Sequence, residues 1–124
     1  MSSPAANRRR GAKWEIDLVK GLRSLGLDAE RLHLNGREDE GDIAVRHGGR
    51  YYVIEAKNAA LKPTEFINQS TAEALHFAKN RDLPTSQVHP VVFVKRRQRG
   101  FQQGFALITI EEYLRLIGAK EEEL

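Results

Sequence analysis

Three side chains, Asp42, Glu55 and Lys57, carry the strongest chemical signal in this 124-residue sequence. Gly48 and Gly49 separate two runs, Gly41 to His47 and Arg50 to Lys57, in which apolar residues recur. This is a hairpin signal, because glycine accepts the positive φ angles of a tight two-residue loop. With the glycines as the loop, His47 pairs with Arg50, and the same register carried back along the strands sets Asp42 opposite Glu55. Side chains alternate between faces, so Asp42, Glu55 and Lys57 share one face while Ile43, Val45, Ile54 and Ala56 point to the other, into the core. Two carboxylates directly across a strand pair repel. A cation must hold them together, and the candidates are Lys57 and a divalent metal. Hard ions such as Mg²⁺ take one or two carboxylates plus water and substrate phosphate. An ion held this way can polarise a phosphoryl oxygen and activate a water for attack. A neighbouring lysine adds positive charge where the transition state is most negative. The chemistry is that of a phosphodiester hydrolase, although the pattern taken alone is short and a solvated salt-bridge cluster would also satisfy it.

The elements that must position these residues can be read from the periodicity. A helix is expected from about Ala12 to Leu25, with Gly26 as its stop. At about 100° per residue, Trp14, Leu18, Val19, Leu22 and Leu25 form an apolar arc, and Asp17, Lys20, Arg23 and Ser24 lie opposite. Glu15 falls inside the apolar arc, where a carboxylate needs a partner, so it is a candidate to close the site from above. Asp28 to Leu34 reads as a strand and Asn35 to Glu40 as a charged loop. Pro63 and Thr64 open a second helix reaching about Asn80. Phe66, Ile67, Ala74, Phe77 and Ala78 share its buried side, and Gln69, Glu73 and His76 line one flank. Val88 to Lys95 is a β-branched, apolar strand of the buried kind. A basic, Gln-rich loop, Arg96 to Gly104, leads to a short strand, Phe105 to Ile108. Thr109 with Glu112 forms a capping box for a last helix ended by Gly118. Helix, three strands, helix, two strands, helix implies an α/β fold, a mixed five-stranded sheet flanked by helices.

Composition bounds the rest. At 40% hydrophobic and 30% charged residues, the chain suits one soluble domain. We expect a flexible basic arm over residues 1–11, one domain over 12–118 and an acidic tail over 119–124. The absence of cysteine excludes disulfides and thiolate metal sites and suits a reducing cytoplasm. No signal peptide or run of membrane-spanning length stands out, so no membrane partner is expected. A net charge of +3 and a pI of about 9.4 lean mildly towards polyanions. The charge is clustered. Arg8, Arg9 and Arg10 form one group, and Lys95, Arg96, Arg97 and Arg99 form another beside Phe101, Gln102 and Gln103. Both groups are candidates to grip phosphates, and the second also to stack on exposed bases; a solvated tail and a solvated loop are the plainer readings. Acidic residues collect at Glu38, Asp39, Glu40 and Asp42 and at Glu121, Glu122 and Glu123. His33, His47, His76 and His89 are scattered, without the spacing of a helical zinc site.

Gly41-Asp42-Ile43 followed by Val53-Ile54-Glu55-Ala56-Lys57 resembles the PD-(D/E)XK nuclease motif. With Glu15 in the preceding helix and Gln69 in the helix after the motif, the chain is similar to the archaeal and phage Holliday junction resolvase branch of that superfamily, from about Arg9 to Ile117. The resemblance implies a restriction-endonuclease-like core. It implies that Asp42 and Glu55, with the backbone carbonyl of Ala56, bind Mg²⁺ or Mn²⁺, that Lys57 is catalytic, that Glu15 assists and that Gln69 orients substrate or water. It also implies a homodimer nicking branched DNA in the cytoplasm, a host's cytoplasm if the gene is a phage's. The apolar Tyr113, Leu114, Leu116 and Ile117 of the last helix, or the strand before them, are candidates for the dimer interface. One departure is that Gly41 stands where the motif has proline. Related enzymes cutting duplex or flap DNA share this core, and a non-catalytic nucleic-acid-binding module or a protein adaptor would use the same fold without the chemistry.

Overall fold

The computed structural model describes residues 3–33 and 39–120; Leu34, most of the expected charged loop and the Glu121 to Glu123 run lie outside the described residues. The first helix, α1, spans Pro4–Ser24, so Arg8, Arg9 and Arg10 stand on helix and not on the flexible arm expected there. The reason is local. Ser3 caps the helix, its hydroxyl accepting from the Ala6 amide at 3.1 Å, and Pro4 fills the first turn, where its missing N–H is not needed. The helix ends at Ser24, and Gly26 adopts a φ of 83°. Leu25, expected on the apolar arc, is therefore past the last turn and 59% exposed.

Five strands follow in a sheet of order β1-β2-β3-β4-β5: β1 Asp28–Arg31, β2 Ile43–His47, β3 Arg50–Lys57, β4 Val88–Val94 and β5 Phe105–Leu107. Helix α2, Pro63–Asn80, crosses between β3 and β4, and α3, Ile110–Leu116, follows β5. All neighbours are antiparallel except β3 and β4, which α2 makes parallel. The mixed five-stranded α/β sheet is as expected. The hairpin register is too, from His47 opposite Arg50 to Ile43 opposite Ile54, with positive φ at both Gly48 and Gly49.

Helices cover both faces of the sheet. Trp14, Leu18, Val19 and Leu22 of α1 pack with Ile43, Val45 and Ile54, and the Trp14 indole donates to the Phe93 carbonyl at 3.1 Å. On the other face Ala74, Phe77 and Ala78 of α2 meet Ala44, Val53 and Val88, and Phe66 meets Val92 and Val94. The strand alternation therefore turns Glu55 and Lys57 towards α2, not towards open solvent. Thr109 caps α3 as expected, its hydroxyl accepting from the Glu112 amide. The reciprocal half of the expected box is replaced. The Glu112 carboxylate is buried against His89 Nδ1 at 2.7 Å and the Arg115 guanidinium, an arrangement that ties α3 to the start of β4. No helix among the described residues is long and apolar enough to cross a membrane.

Candidate active site

Asp42 lies one residue before β2, and its position is set by Gly41. That glycine has a φ of 98°, which proline, fixed near −65°, cannot adopt; the departure from the motif has a conformational cause here. A Cβ at Gly41 would also come within 2.9 Å of the Val53 side chain. Beyond this turn the Asp42 amide donates to the Ile54 carbonyl at 3.0 Å, and its carbonyl accepts from the Leu32 amide at 2.8 Å. The Asp42 side chain then turns onto β3, where Oδ2 accepts from the Ala56 amide at 2.8 Å. A backbone donor thus fixes one carboxylate oxygen and leaves the other uncommitted to that bond.

Glu55, in β3, is 5% exposed. Its Oε1 accepts from Gln69 Nε2 at 3.3 Å and lies 3.5 Å from Lys57 Nζ; its Oε2 is buried without a partner. The Lys57 ammonium sits 5.2 Å from the centre of the Phe66 ring. A residue that the sequence did not single out completes the group. Glu73, on α2, is 3% exposed; its Oε1 accepts from the same Gln69 nitrogen at 3.0 Å, and its Oε2 is also buried and unpartnered. The signal that could have found it is the one that marked Glu15, a carboxylate beside the apolar arc of a helix.

Burial dominates the electrostatics of these acids. Desolvation, and then the charge of Glu55, lift Asp42 to about 8, against the pull of the Ala56 amide, and Glu15 adds to the rise. Desolvation, and then Glu73, which can share a proton with Glu55 and repels it as an anion, lift Glu55 to about 9, while Lys57 draws it down. Glu73 rises to about 7, again chiefly through burial. The cluster needs protons or a cation to neutralise it near neutral pH.

A stability consequence follows. Acids whose folded pKa lies above the unfolded one favour folding most when protonated. That contribution is complete below about pH 4 and is lost as the pH climbs through about 7 to 9. The metal-free protein should lose roughly 5–10 °C of melting temperature between about pH 5 and pH 9. Millimolar Mg²⁺ should restore much of the loss at the upper end and little at the lower. Scanning fluorimetry across pH, with EDTA and with Mg²⁺, measures it; a melting temperature indifferent to both would contradict the electrostatic reading.

The donors suit a hard cation. Two carboxylates, one with a buried oxygen lacking any partner, are what an oxygen-seeking ion neutralises. Among the described residues no three His, Asp or Glu side chains gather as a ready-made metal cage. A sparse set, leaving room for water and phosphate, is the habit of Mg²⁺.

The other expected site residues separate. Glu15 does have the partner its position demanded, Arg31 of β1, whose Nε lies 3.0 Å from Oε1; it reaches Asp42 through its charge. Arg10 and Arg99 come together in a groove of about 500 Å³, also lined by Lys13, Lys20, Lys95 and Asn58. Asn58 directly follows Lys57, and the groove runs along α1, which packs on the face of the sheet opposite α2. Arg8, Arg9 and Arg97 are exposed outside it, and Arg96 stacks over Phe105 at 5.1 Å. Phe101, expected to be open for stacking on bases, is half-buried against Gly21 instead; a Cβ at Gly21 would overlap its ring at 2.4 Å.

The structure of Hjc, a Holliday junction resolvase from the archaeal hyperthermophile Archaeoglobus fulgidus, aligns with 70% of this chain and 68% of its own, with a TM-score of 0.50. This chain has the resolvase fold. Sequence identity over the alignment is 22%, so the likeness speaks for architecture alone. No protein-family model matches the sequence, and no curated protein matches it.

Proposed function

We propose that the protein is a divalent-metal-dependent endodeoxyribonuclease that cleaves phosphodiester bonds in branched DNA as a homodimer in the cytoplasm. The observation that carries this reading is the convergence of Asp42, Glu55 and Lys57. Asp42 is fixed by the Ala56 amide, Glu55 keeps one buried oxygen unspent, and Lys57 stands 3.5 Å from the other. Asp42 and Glu55, with the Ala56 carbonyl, would hold Mg²⁺, or Mn²⁺ in its place. Such an ion supplies Lewis acidity towards the scissile phosphate. Lys57 contributes positive charge where phosphoryl oxygens gather it in the transition state. Glu15 acts on the site through its field at Asp42 and is itself held by Arg31. Gln69, with its amide nitrogen on two glutamates, serves the carboxylates before it serves the substrate. Phosphates are gripped by the basic groove, with Arg8, Arg9, Arg96 and Arg97 adding a diffuse field.

The branched substrate and the dimer belong together. Resolving a four-way junction takes two symmetric nicks, and a two-fold dimer matches the substrate's symmetry with an isologous interface. Helix α3 and the residue that caps its end offer apolar side chains for that interface: Ile110 is 81% and Tyr113 54% exposed, and Ile117, at the C-cap, 59%.

Labelled four-way junction, linear duplex and single strand, each with Mg²⁺ or with EDTA, test the proposal, with light scattering for the mass. The expected result is a two-chain particle that nicks the junction at opposed positions, prefers it to duplex and is inert in EDTA. A monomer cutting linear duplex as readily would keep the nuclease and remove the resolvase. Binding without Mg²⁺-dependent cutting of any of the three would leave a non-catalytic module.

A further inference from the structure

We infer that Glu73, acting with Gln69, is a positioning residue for Glu55, and that this α2 pair sets the affinity of the site for its cation. The inference rests on the nuclease reading above. Gln69 and Glu73 are four residues apart, so they share one face of α2. Phe66, Ala74 and Phe77 seat that helix on the sheet. An amide nitrogen carries two hydrogens, and Gln69 Nε2 has two acceptors, Glu55 Oε1 and Glu73 Oε1. The bridge fixes the Glu55 carboxylate through one oxygen and leaves the other buried and unpartnered.

Fixing Glu55 did not by itself require a second acid. A glutamate at 3% exposure is costly to bury, and Gln69 alone could donate to Glu55. Glu73 adds two things. It anchors the Gln69 amide, so that the donor cannot swing away from Glu55. It also reaches the turn that places Asp42: a Cβ on Gly41 would lie 3.5 Å from Glu73 Oε2. One side chain from α2 thus holds the donor on Glu55, lies beside the turn that places Asp42 and adds negative charge near both. A residue that orients a ligand from behind acts on cation affinity before it acts on the chemical step.

Mn²⁺ titration by calorimetry without DNA reads this directly. Glu73→Ala removes the acceptor that anchors the Gln69 amide; Gln69→Ala breaks the same bridge from the donor side, at a half-buried position, and leaves the charges in place. Each should bind Mn²⁺ at least about tenfold more weakly than the unaltered protein, the range for ligands that support a metal site from behind. The Mn²⁺ concentration for half-maximal cleavage should rise in step, while the rate at saturating Mn²⁺ changes much less. Circular dichroism identifies the variants that fold, and Mn²⁺ affinity unchanged within about twofold in either folded variant overturns the inference. Asp42→Asn is run alongside to separate the two readings. If it binds Mn²⁺ as well as the unaltered protein, the metal-site reading itself fails, whatever Glu73 does.

Discussion

Asp42→Asn should lower the rate of DNA cleavage by on the order of a thousandfold or more, while affinity for uncut DNA holds or rises. Asparagine is nearly isosteric, and its side-chain oxygen can still accept the Ala56 amide that Asp42 Oδ2 accepts at 2.8 Å. The turn set by Gly41 and the backbone bonds to Ile54 and Leu32 do not involve the side chain. The fold should therefore survive. Its loss is electrostatic: a cation would face Glu55 alone, and one carboxylate is a poor hold on Mg²⁺ in competition with water. Removing a buried acid pushed up to about 8 also relieves strain on its neighbours, so the metal-free variant should melt no lower than the parent. Binding is the informative contrast. The phosphate-gripping cations lie elsewhere, and a negative charge beside the scissile phosphate has been removed. Single-turnover cleavage with Mg²⁺ and equilibrium binding in EDTA measure the two halves. Full cutting with impaired binding would take Asp42 out of the chemistry and make it a DNA contact or a structural residue.

The hairpin was legible in the sequence because its determinants are local. Gly48 and Gly49 set the loop, the loop sets the register, and the register brings Asp42 level with Glu55. The sequence did not disclose that Asp42 stands just outside the strand and aims Oδ2 at the Ala56 amide, since that depends on a φ of 98° at Gly41. The start of α1 was written in Ser3 and Pro4, a capping residue followed by a first-turn proline; the polar, arginine-rich composition concealed it. Glu15 was legible as a carboxylate needing a partner, but the partner, Arg31, comes from β1, and no helical periodicity names it. Glu73 sits beside its apolar arc in the same way, and its meeting with Glu55 is fixed by how α2 docks on β3. Pattern within one element was readable, whereas pairing between elements far apart in the chain was a property of the packed whole. Arg10 and Arg99 illustrate this, as members of two basic clusters far apart in the sequence that meet in one groove.

That groove makes the second large effect. Lys13 is held by Asp17 at 2.8 Å, and this pairing offsets part of the groove's positive charge. Arg10, Lys95 and Arg99 are the groove's other cations besides Lys20. Arg10 and Arg99 are exposed, and the Lys95 ammonium lies 6.0 Å from the Trp14 ring at the groove's wall. If a phosphate backbone runs here towards Asn58 and Lys57, each of the three releases counterions on binding. Replacing all three with alanine should then lower DNA affinity by roughly a hundredfold at low salt, at about 1 kcal/mol for each lost charge-assisted contact. It should also flatten the dependence of log affinity on log salt by about 0.9 per lost duplex phosphate contact. The loss should be similar for junction and duplex, because phosphate contacts carry no sequence and little shape information. Arg8→Ala with Arg9→Ala, on the same helix but outside the groove, is the matched control, and should change affinity and slope much less. Fluorescence anisotropy over a salt series, in EDTA to prevent cutting, gives both numbers for each variant. If the control pair weakens binding as much as the groove triple, DNA is held by net charge alone and the groove is no track for the backbone. If neither does, the polyanion binds elsewhere, and the strand must reach Asp42 and Glu55 from the side of α2.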